Sequence, residues 1–498
     1  MAEIAALLGE LGGLVGLAQV SALLIGLILG IIVGVLPGLG PLLGVTLAIP
    51  FTFHMDPVSS IALLIGFYQG GSYGGAVTAT VLGIPGTPIA AATLLDAHPM
   101  ALAGRASEAV TLATLASWVG GLIGGTVLLL TAPALAKIAI RFGPAETFAL
   151  AALGLTAIAS LSQGSTLKGL LSGLFGLMCA TIGTDPFTGI ARFNFGRTEF
   201  SGGLTFVALL VGLFAISEVL MQIERTLRGW QASGRIGVAF SMFRTLFTRF
   251  FGYVRASLVG VGIGIIPAVG GVTSAFLAYK LARDFSKEPE RFGKGAPEGV
   301  IASEAANSAT TGGALIPMLA LGIPGDPIVA VMMGGLLIHG VTPGPMLFFT
   351  NLEVLNGIFA TFLIGALLLL PLGLALLPVF IRVLRVPLDY MLAGVLLLAI
   401  FGTFAVQRQT LDLWIMWLFG VVGYAMRKAG FPLAPLVIGF VLGPIVEVNL
   451  RRAATLASSD MAGYFLGRPI ALGILVMALL ALAFPVMRAL WQRRAGAT

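Results

Sequence analysis

The amino-acid sequence predicts an all-α polytopic membrane protein of about 12 transmembrane helices, set in two inverted repeats with broken helices or re-entrant hairpins. Three observations lead there. The composition is too apolar for a water-soluble fold to bury, glycine and proline are abundant inside the apolar runs, and one pair of glycine–proline motifs occurs twice in the same order.

Of 498 residues, 58% are hydrophobic and 10% charged, where a soluble domain has roughly 45–50% and about 25%. Lipid must cover much of this surface. At about 20 residues per span of a ~30 Å hydrocarbon core, the apolar residues supply about 12 spans. The single cysteine, Cys179, excludes a disulfide scaffold, and the hydrophobicity excludes a disordered chain. The net charge of +7 lies in short loops between apolar runs, as the positive-inside rule dictates, so nucleic acid is not implied as a partner. The 68 glycines amount to about twice the ordinary share of ~7%. Glycine lets membrane helices approach closely or break.

Charge sets the expected orientation. Met1 to Leu11 carries Glu3 and Glu10 and no basic residue, so no cleaved signal peptide is expected and the first apolar run, 14–36, remains as a helix. The connector 224–255 holds Arg225, Arg228, Arg235, Arg244, Arg249 and Arg255 against Glu224. It is expected in the cytoplasm, as are Arg488, Arg493 and Arg494, with the N-terminus periplasmic. Residues 236–252 pair phenylalanine with arginine at helical spacing, which reads as an interfacial helix on the cytoplasmic leaflet, the alternative being a basic loop with aromatic anchors. The chain thus divides into a first transmembrane repeat (1–223), a basic connector (224–255), a second repeat core (256–349) and C-terminal transmembrane helices (350–498).

The repeat is legible directly. GIIVGVLPGLG (30–40) matches GVGIGIIPAVG (260–270), and GIPGTP (83–88) matches GIPGDP (322–327). The Gly-Gly pairs 74–75 and 312–313 precede the second motif in each half. The offset is 230 between Gly30 and Gly260 and 239 between Gly83 and Gly322, which places one insertion near the charged stretch 280–297. Proline removes a backbone donor and clashes with the preceding turn. The flanking segments 74–82, 87–97, 313–321 and 327–338 therefore read as half-membrane helices, with the two GIPG motifs at their tips. A half-helix N-terminus there offers unpaired N–H groups to an anion. Gly26, Gly30, Gly34 and Gly38 form one packing stripe, and Gly120, Gly121, Gly124 and Gly125 a second.

Polar residues at depth in lipid mark pathways. Ser72 and Thr87 near the first break, and Asn307 and Thr311 near the second, are candidate substrate contacts. Thr78, Thr80, Glu304, Ser308 and Asp326, with the breaks at Pro37, Gly38, Gly40 and Pro267, are candidate cation contacts through hydroxyls, carboxylates and freed carbonyls. Thr46, Thr273 and Ser274 are weaker candidates. Enzymatic readings fail: Gly70–Gly74 matches G-x-S-x-G by letters only, without the α/β sheet a nucleophile elbow needs, and no phosphate-binding loop, H-E-x-x-H or Cys/His cluster occurs. The classes left open are a secondary transporter subunit, a channel or pore-forming subunit without ion coupling, and a membrane scaffold.

The same motifs resemble the TctA family, the large membrane subunits of the tripartite tricarboxylate transporters. The stretches GVLPGLG (34–40), YGGAVTATVLGIPGTPIAAATLLDAHPMALAG (73–104), ARFNFGRTEFSGGLTFVALLVGLFAISEV (191–219) and SEAANSATTGGALIPMLALGIPGDPIVAVMMGGLLIHGVTPGPMLF (303–348) carry the likeness, which fades after about residue 350. The resemblance implies a permease in the bacterial inner membrane, working with a small TctB-like membrane subunit and a periplasmic TctC-like solute-binding protein. It implies carboxylate import driven by a Na⁺ or H⁺ gradient, with no other cofactor. Carried onto this chain, it points to Gly83, Pro85, Gly86, Thr87, Asn307, Gly322, Pro324 and Gly325 as the substrate site. The chain departs from the family pattern at Ser308, where a second asparagine commonly stands, and at Asp326, where a small residue does.

Overall fold

A computed structural model describes residues 16–161, 165–224, 237–267, 270–384, 386–458 and 460–495. Arg225, Arg228, Arg235 and the acidic N-terminal segment lie outside the described residues. The described chain is helical apart from a two-stranded antiparallel pair, Gly183–Thr184 with Ala191–Arg192. The first half opens with α1 (Leu17–Val35), α2 (Gly40–Thr52), α3 (Pro57–Leu82), α4 (Ala91–Met100) and α5 (Ala106–Ala139). After α6 (Pro144–Leu161), α7 (Thr166–Ala180) and α8 (Phe206–Glu224), the pattern recurs as α9 (Phe250–Ile265), α10 (Gly270–Asp284), α11 (Pro297–Leu321), α12 (Pro327–Ile338) and α13 (Leu352–Ala375). The chain ends in α14 (Leu388–Gln407), α15 (Thr410–Lys428), α16 (Ala434–Ala457), α17 (Met461–Leu466) and α18 (Pro469–Ala495).

Local chemistry sets the ends of the long helices. Asp56 caps α3 by accepting the Ser59 N–H at 2.9 Å, and Pro57 follows at the first helical position. Asp326 and Pro327 do the same for α12, with the Val329 N–H at 2.8 Å. Aspartate accepts a donor the helix leaves orphaned, and proline lacks the N–H that would be orphaned anyway. α3 and α11 both stop at a left-handed glycine, Gly83 (φ 68°) and Gly322 (φ 73°), a conformation that costs any side chain with a Cβ.

Glycines fix the helix directions. A methyl group on Gly26, Gly30 or Gly34 of α1 would strike the backbone of Leu63, Phe67 or Gly71 of α3, in ascending order, so α1 and α3 run parallel. Between them α2 runs back, with Pro41 against Gly71 and Gly44 against Phe67. Together α1 and α2 form a helical hairpin whose tip reaches deep along α3. In the second half Gly260 meets Ala306 and Gly264 meets Thr310, while Ser274 of α10 bonds Thr310 and Tyr279 lies against Gly299. The hairpin is rebuilt as α9–α10 on α11.

The two halves lock reciprocally. Gly120 and Gly124 of α5 seat on Ala305 and Ala309 of α11, parallel to it, and Gly365 and Gly373 of α13 seat on Gln69 and Tyr73 of α3. Gly121 and Gly125 of α5 meet Ala366 and Phe362 of α13 in opposite order, so α3 and α11 are antiparallel.

Two expectations are revised. The segments 74–82 and 313–321 are not separate half-helices: α3 and α11 run unbroken for 26 and 25 residues. Only α4 and α12, of 10 and 12 residues, are short. The Gly-Gly pairs are also out of step. Gly74 packs on Ile31 and Gly313 on Val261, while Gly75 and Ala314 lie against the two tips, so Gly75 is matched by Ala314. Six helices among the described residues are long and apolar enough to cross a membrane, and seven with the bent pair Phe240–Thr248 and Phe250–Ile265. Shorter apolar helices, such as Gly40–Thr52 and Pro327–Ile338, lie outside that count. Phe247 and Phe251, on either side of the 78° bend in that pair, are exposed.

Candidate functional site

Both hairpin tips and both GIPG tips open onto one cavity of about 770 Å³, within the ~300–1,000 Å³ typical of small-molecule sites. The first hairpin contributes Pro37, Gly38 and Gly40, and the second contributes Gly270 and Thr273. The first tip contributes Pro85, Gly86 and Thr87, and the second contributes Asp326. The tips are held back against their own long helices. A Cβ on Gly86 would stand 2.7 Å from the Gly34 carbonyl and 2.9 Å from the Gly75 Cα, and one on Gly325 would stand 2.6 Å from the Ala314 Cα. Thr87 and Asp326 therefore occupy equivalent places in the two halves.

The helix ends there are partly occupied by their own residues. The Asp326 carboxylate takes the Val329 N–H and also accepts the Tyr68 hydroxyl of α3. It stands where an external anion would sit at the start of α12. At the first tip Thr87 Oγ1 accepts the Ala90 N–H at 3.3 Å and brings no charge.

The other predicted residues are placed elsewhere. Gly83 and Gly322 are helix caps behind the tips, Pro324 is buried, and Gly325 lies buried against Ala314 of α11. Pro267 sits at the tip of the second hairpin. Thr80 and Thr311 return their hydroxyls to their own helices, at Ala76 O and Ser308 O, both 2.7 Å. Thr78 bonds the Val35 carbonyl where α1 ends.

Glu304, Asn307 and Ser72 form a separate buried cluster between α3, α4, α5 and α11. The Glu304 carboxylate accepts from Thr93, from Ser117 at 3.1 Å and from Asn307 Nδ2 at 3.3 Å. The same Nδ2 donates to the Ser72 carbonyl at 3.1 Å. Among the described residues, Asn307 Oδ1, Ser72 Oγ and Ser308 Oγ are buried without a partner. No basic side chain pairs with Glu304 among the described residues.

Three cavity residues escaped the sequence reading. Glu218 and Gln222 of α8 and Arg427 of α15 line the same wall. Gln222 Nε2 donates to Glu218 Oε1 at 2.7 Å, and Arg427 Nη1 donates to Glu218 Oε2. An acid and an amide one turn apart at the end of an apolar run was the available signal. Arg427, next to Lys428, reads in sequence as an ordinary flanking charge.

These features define a multi-pass helical membrane protein whose broken elements converge on one internal cavity. The chain belongs to the tripartite tricarboxylate transporter TctA family, whose model matches residues 20–438. It is similar to an uncharacterized 52.8 kDa protein of the TAR-I ttuC′ 3′ region of Agrobacterium vitis, 36% identical over 453 residues, which cover 90% of this chain and 89% of that one. An uncharacterized protein of the TAR-II ttuC′ 3′ region of the same organism is 34% identical over 232 residues, 47% of this chain and 96% of that one. No solved structure matches the chain.

Proposed function

We propose that this chain is the large permease subunit of a tripartite secondary transporter, importing tricarboxylates or related carboxylates driven by a Na⁺ or H⁺ gradient. A periplasmic TctC-like protein would deliver the substrate, and a small TctB-like subunit would complete the membrane part. Family membership supports the class. The observation that carries the mechanism is the shared cavity, in which tips from two antiparallel halves meet. Such halves, placed inversely in the bilayer, suit alternating access around a fixed site.

Charge supports ion coupling. Among the described residues the cavity wall bears two carboxylates, Glu218 and Asp326, against one guanidinium, Arg427. A carboxylate substrate entering beside them needs accompanying cations. It needs them again for transport, since each uncompensated charge is worth about 2.3 kcal/mol per 100 mV. Asp326 within the cavity, and Glu304 with the unpartnered oxygens of Asn307 and Ser308 beyond it, are the cation contacts in this reading. The membrane is the bacterial inner membrane, with the N-terminus periplasmic and the C-terminus cytoplasmic.

Proteoliposomes holding this chain and both partners test the reading through labelled citrate uptake under imposed Na⁺ or proton gradients. Uptake that accumulates citrate only with one of these gradients is the expected result. Flux that merely equilibrates citrate, whatever the gradient, identifies a channel instead.

A further inference from the structure

We infer that Arg427 is the anchor for a carboxylate group of the substrate, and that Glu218 is its resident counter-ion when the cavity holds no substrate. This rests on the transport reading above and names a recognition residue within the same cavity.

Arg427 is half-buried, with its side chain 28% exposed, and Glu218 nearly enclosed at 11%. Both reach the cavity that the tips share. A guanidinium is a planar fork of five donors that matches a carboxylate with two parallel bonds. Among the described residues Glu218 takes one of them, at Nη1. The remainder of the fork is available toward the cavity, and Arg427 is its only basic wall residue among those described. An unpaired guanidinium walled mostly by apolar residues would be costly, and the Glu218 carboxylate balances its charge.

Gln222 steadies the arrangement. It holds the Glu218 oxygen that Arg427 does not take, at 2.7 Å, and so leaves Glu218 a partner when a substrate carboxylate competes for the fork. The first hairpin tip closes over this pair: a side chain on Gly38 would collide with Gln222 Nε2 and stand 3.3 Å from Glu218 Oε1. Exchange of Glu218 for a substrate carboxylate on Arg427 thus takes place against the hairpin tip.

The test uses the purified full-length chain and follows its thermal midpoint against acetate, succinate and citrate. Citrate should stabilise the wild type, and Arg427→Gln should raise the half-effective citrate concentration at least ~10-fold, the consequence of losing a charge-assisted contact of about 1.4 kcal/mol or more. Arg427→Lys, which keeps the charge and loses the fork, should fall between. Glu218→Gln should lower that concentration, because the competing carboxylate is gone. The double variant Glu218→Gln/Arg427→Gln leaves no lone charge. It should melt like the wild type without citrate yet respond as weakly as Arg427→Gln. Wild-type citrate response in a folded Arg427→Gln or double variant overturns the inference. If Thr87→Ala weakens the response in that case, the cavity remains the substrate site and only the arginine's role falls. If no carboxylate stabilises the wild type, the transport reading and this inference fall together.

Discussion

The Tyr68 hydroxyl, on the long helix of the first repeat, donates to the Asp326 carboxylate at the tip of the second. Tyr68 and Asp326 are both buried and 258 residues apart in sequence. The equivalent tip position in the first repeat is Thr87, which carries no charge. The two halves share a backbone plan and differ electrostatically at the tip positions Thr87 and Asp326, where both meet the cavity.

Asp326→Asn isolates that difference. Asparagine caps a helix about as well as aspartate, so expression and thermal midpoint should stay near wild type. The cavity loses one of the two carboxylates among its described wall residues, and the cation concentration for half-maximal citrate uptake should move by roughly tenfold, about 1.4 kcal/mol of cation binding. An unchanged cation dependence in the folded variant places the coupling ion elsewhere.

Thr87→Ala and Asn307→Ala should differ in kind. Thr87 faces the cavity, so its loss should raise the KM for citrate and leave the melting midpoint within a few degrees. Asn307 joins Glu304 to the Ser72 carbonyl. Its removal strips donors from two buried acceptors, a loss of about 1–3 kcal/mol each where no water replaces the contact. Lower thermal stability together with reduced uptake is expected. Ser165→Ala, which precedes α7 away from the cavity, should be silent in both assays.

Glycine contacts give a direct stability test. Gly30→Ala would put a methyl carbon 2.7 Å from the Phe67 Cα, and Gly260→Ala one 2.8 Å from the Ala306 Cα. Backbone must shift in both, at about 1–3 kcal/mol, and each should lower the thermal midpoint clearly. Gly262→Ala, on the open side of α9 with nothing within 4 Å, should be neutral or slightly stabilising. Equal midpoints for all three would mean that α1–α3 and α9–α11 do not pack by close glycine contact.

The strand pair between α7 and α8 predicts a pH effect outside the membrane-spanning helices. The Phe187 N–H, followed by the Arg451 guanidinium, holds the Asp185 carboxyl at about 2, below its ordinary 3.8. The folded form thus binds its proton later than the unfolded form. The stabilisation is complete above about pH 4 and fades as pH falls toward about 2. Protection from hydrogen exchange at 183–192, taken relative to the intrinsic rate at each pH, should fall across that window in the wild type and less in Asp185→Asn.

Orientation can be read with single cysteines, since Cys179 is buried. α8 is long and apolar enough to cross the membrane, so the loop before it and the connector after it belong on opposite sides. Thr198→Cys should react with an impermeant thiol reagent from outside intact cells, and Lys287→Cys only after lysis. The reverse pattern would invert the proposed topology.

The sequence by itself determined the membrane class, the duplication and the ends of the broken elements. These are local or compositional: a left-handed glycine at Gly83 and Gly322, and an aspartate–proline start at Asp326, follow from backbone rules within a few residues. Tertiary structure decided which polar groups share the cavity. Thr87 and Asn307 look alike as buried polar residues near a break, yet one faces the cavity and the other ties two helices together. That choice depends on helix rotation, which close glycine contacts set. It also decided that α3 and α11 run on unbroken, and that Gly75 answers to Ala314. Arg427 and Glu218 lie 209 residues apart. No local pattern joins them, because their pairing exists only once α8 and α15 pack side by side against the hairpin tip.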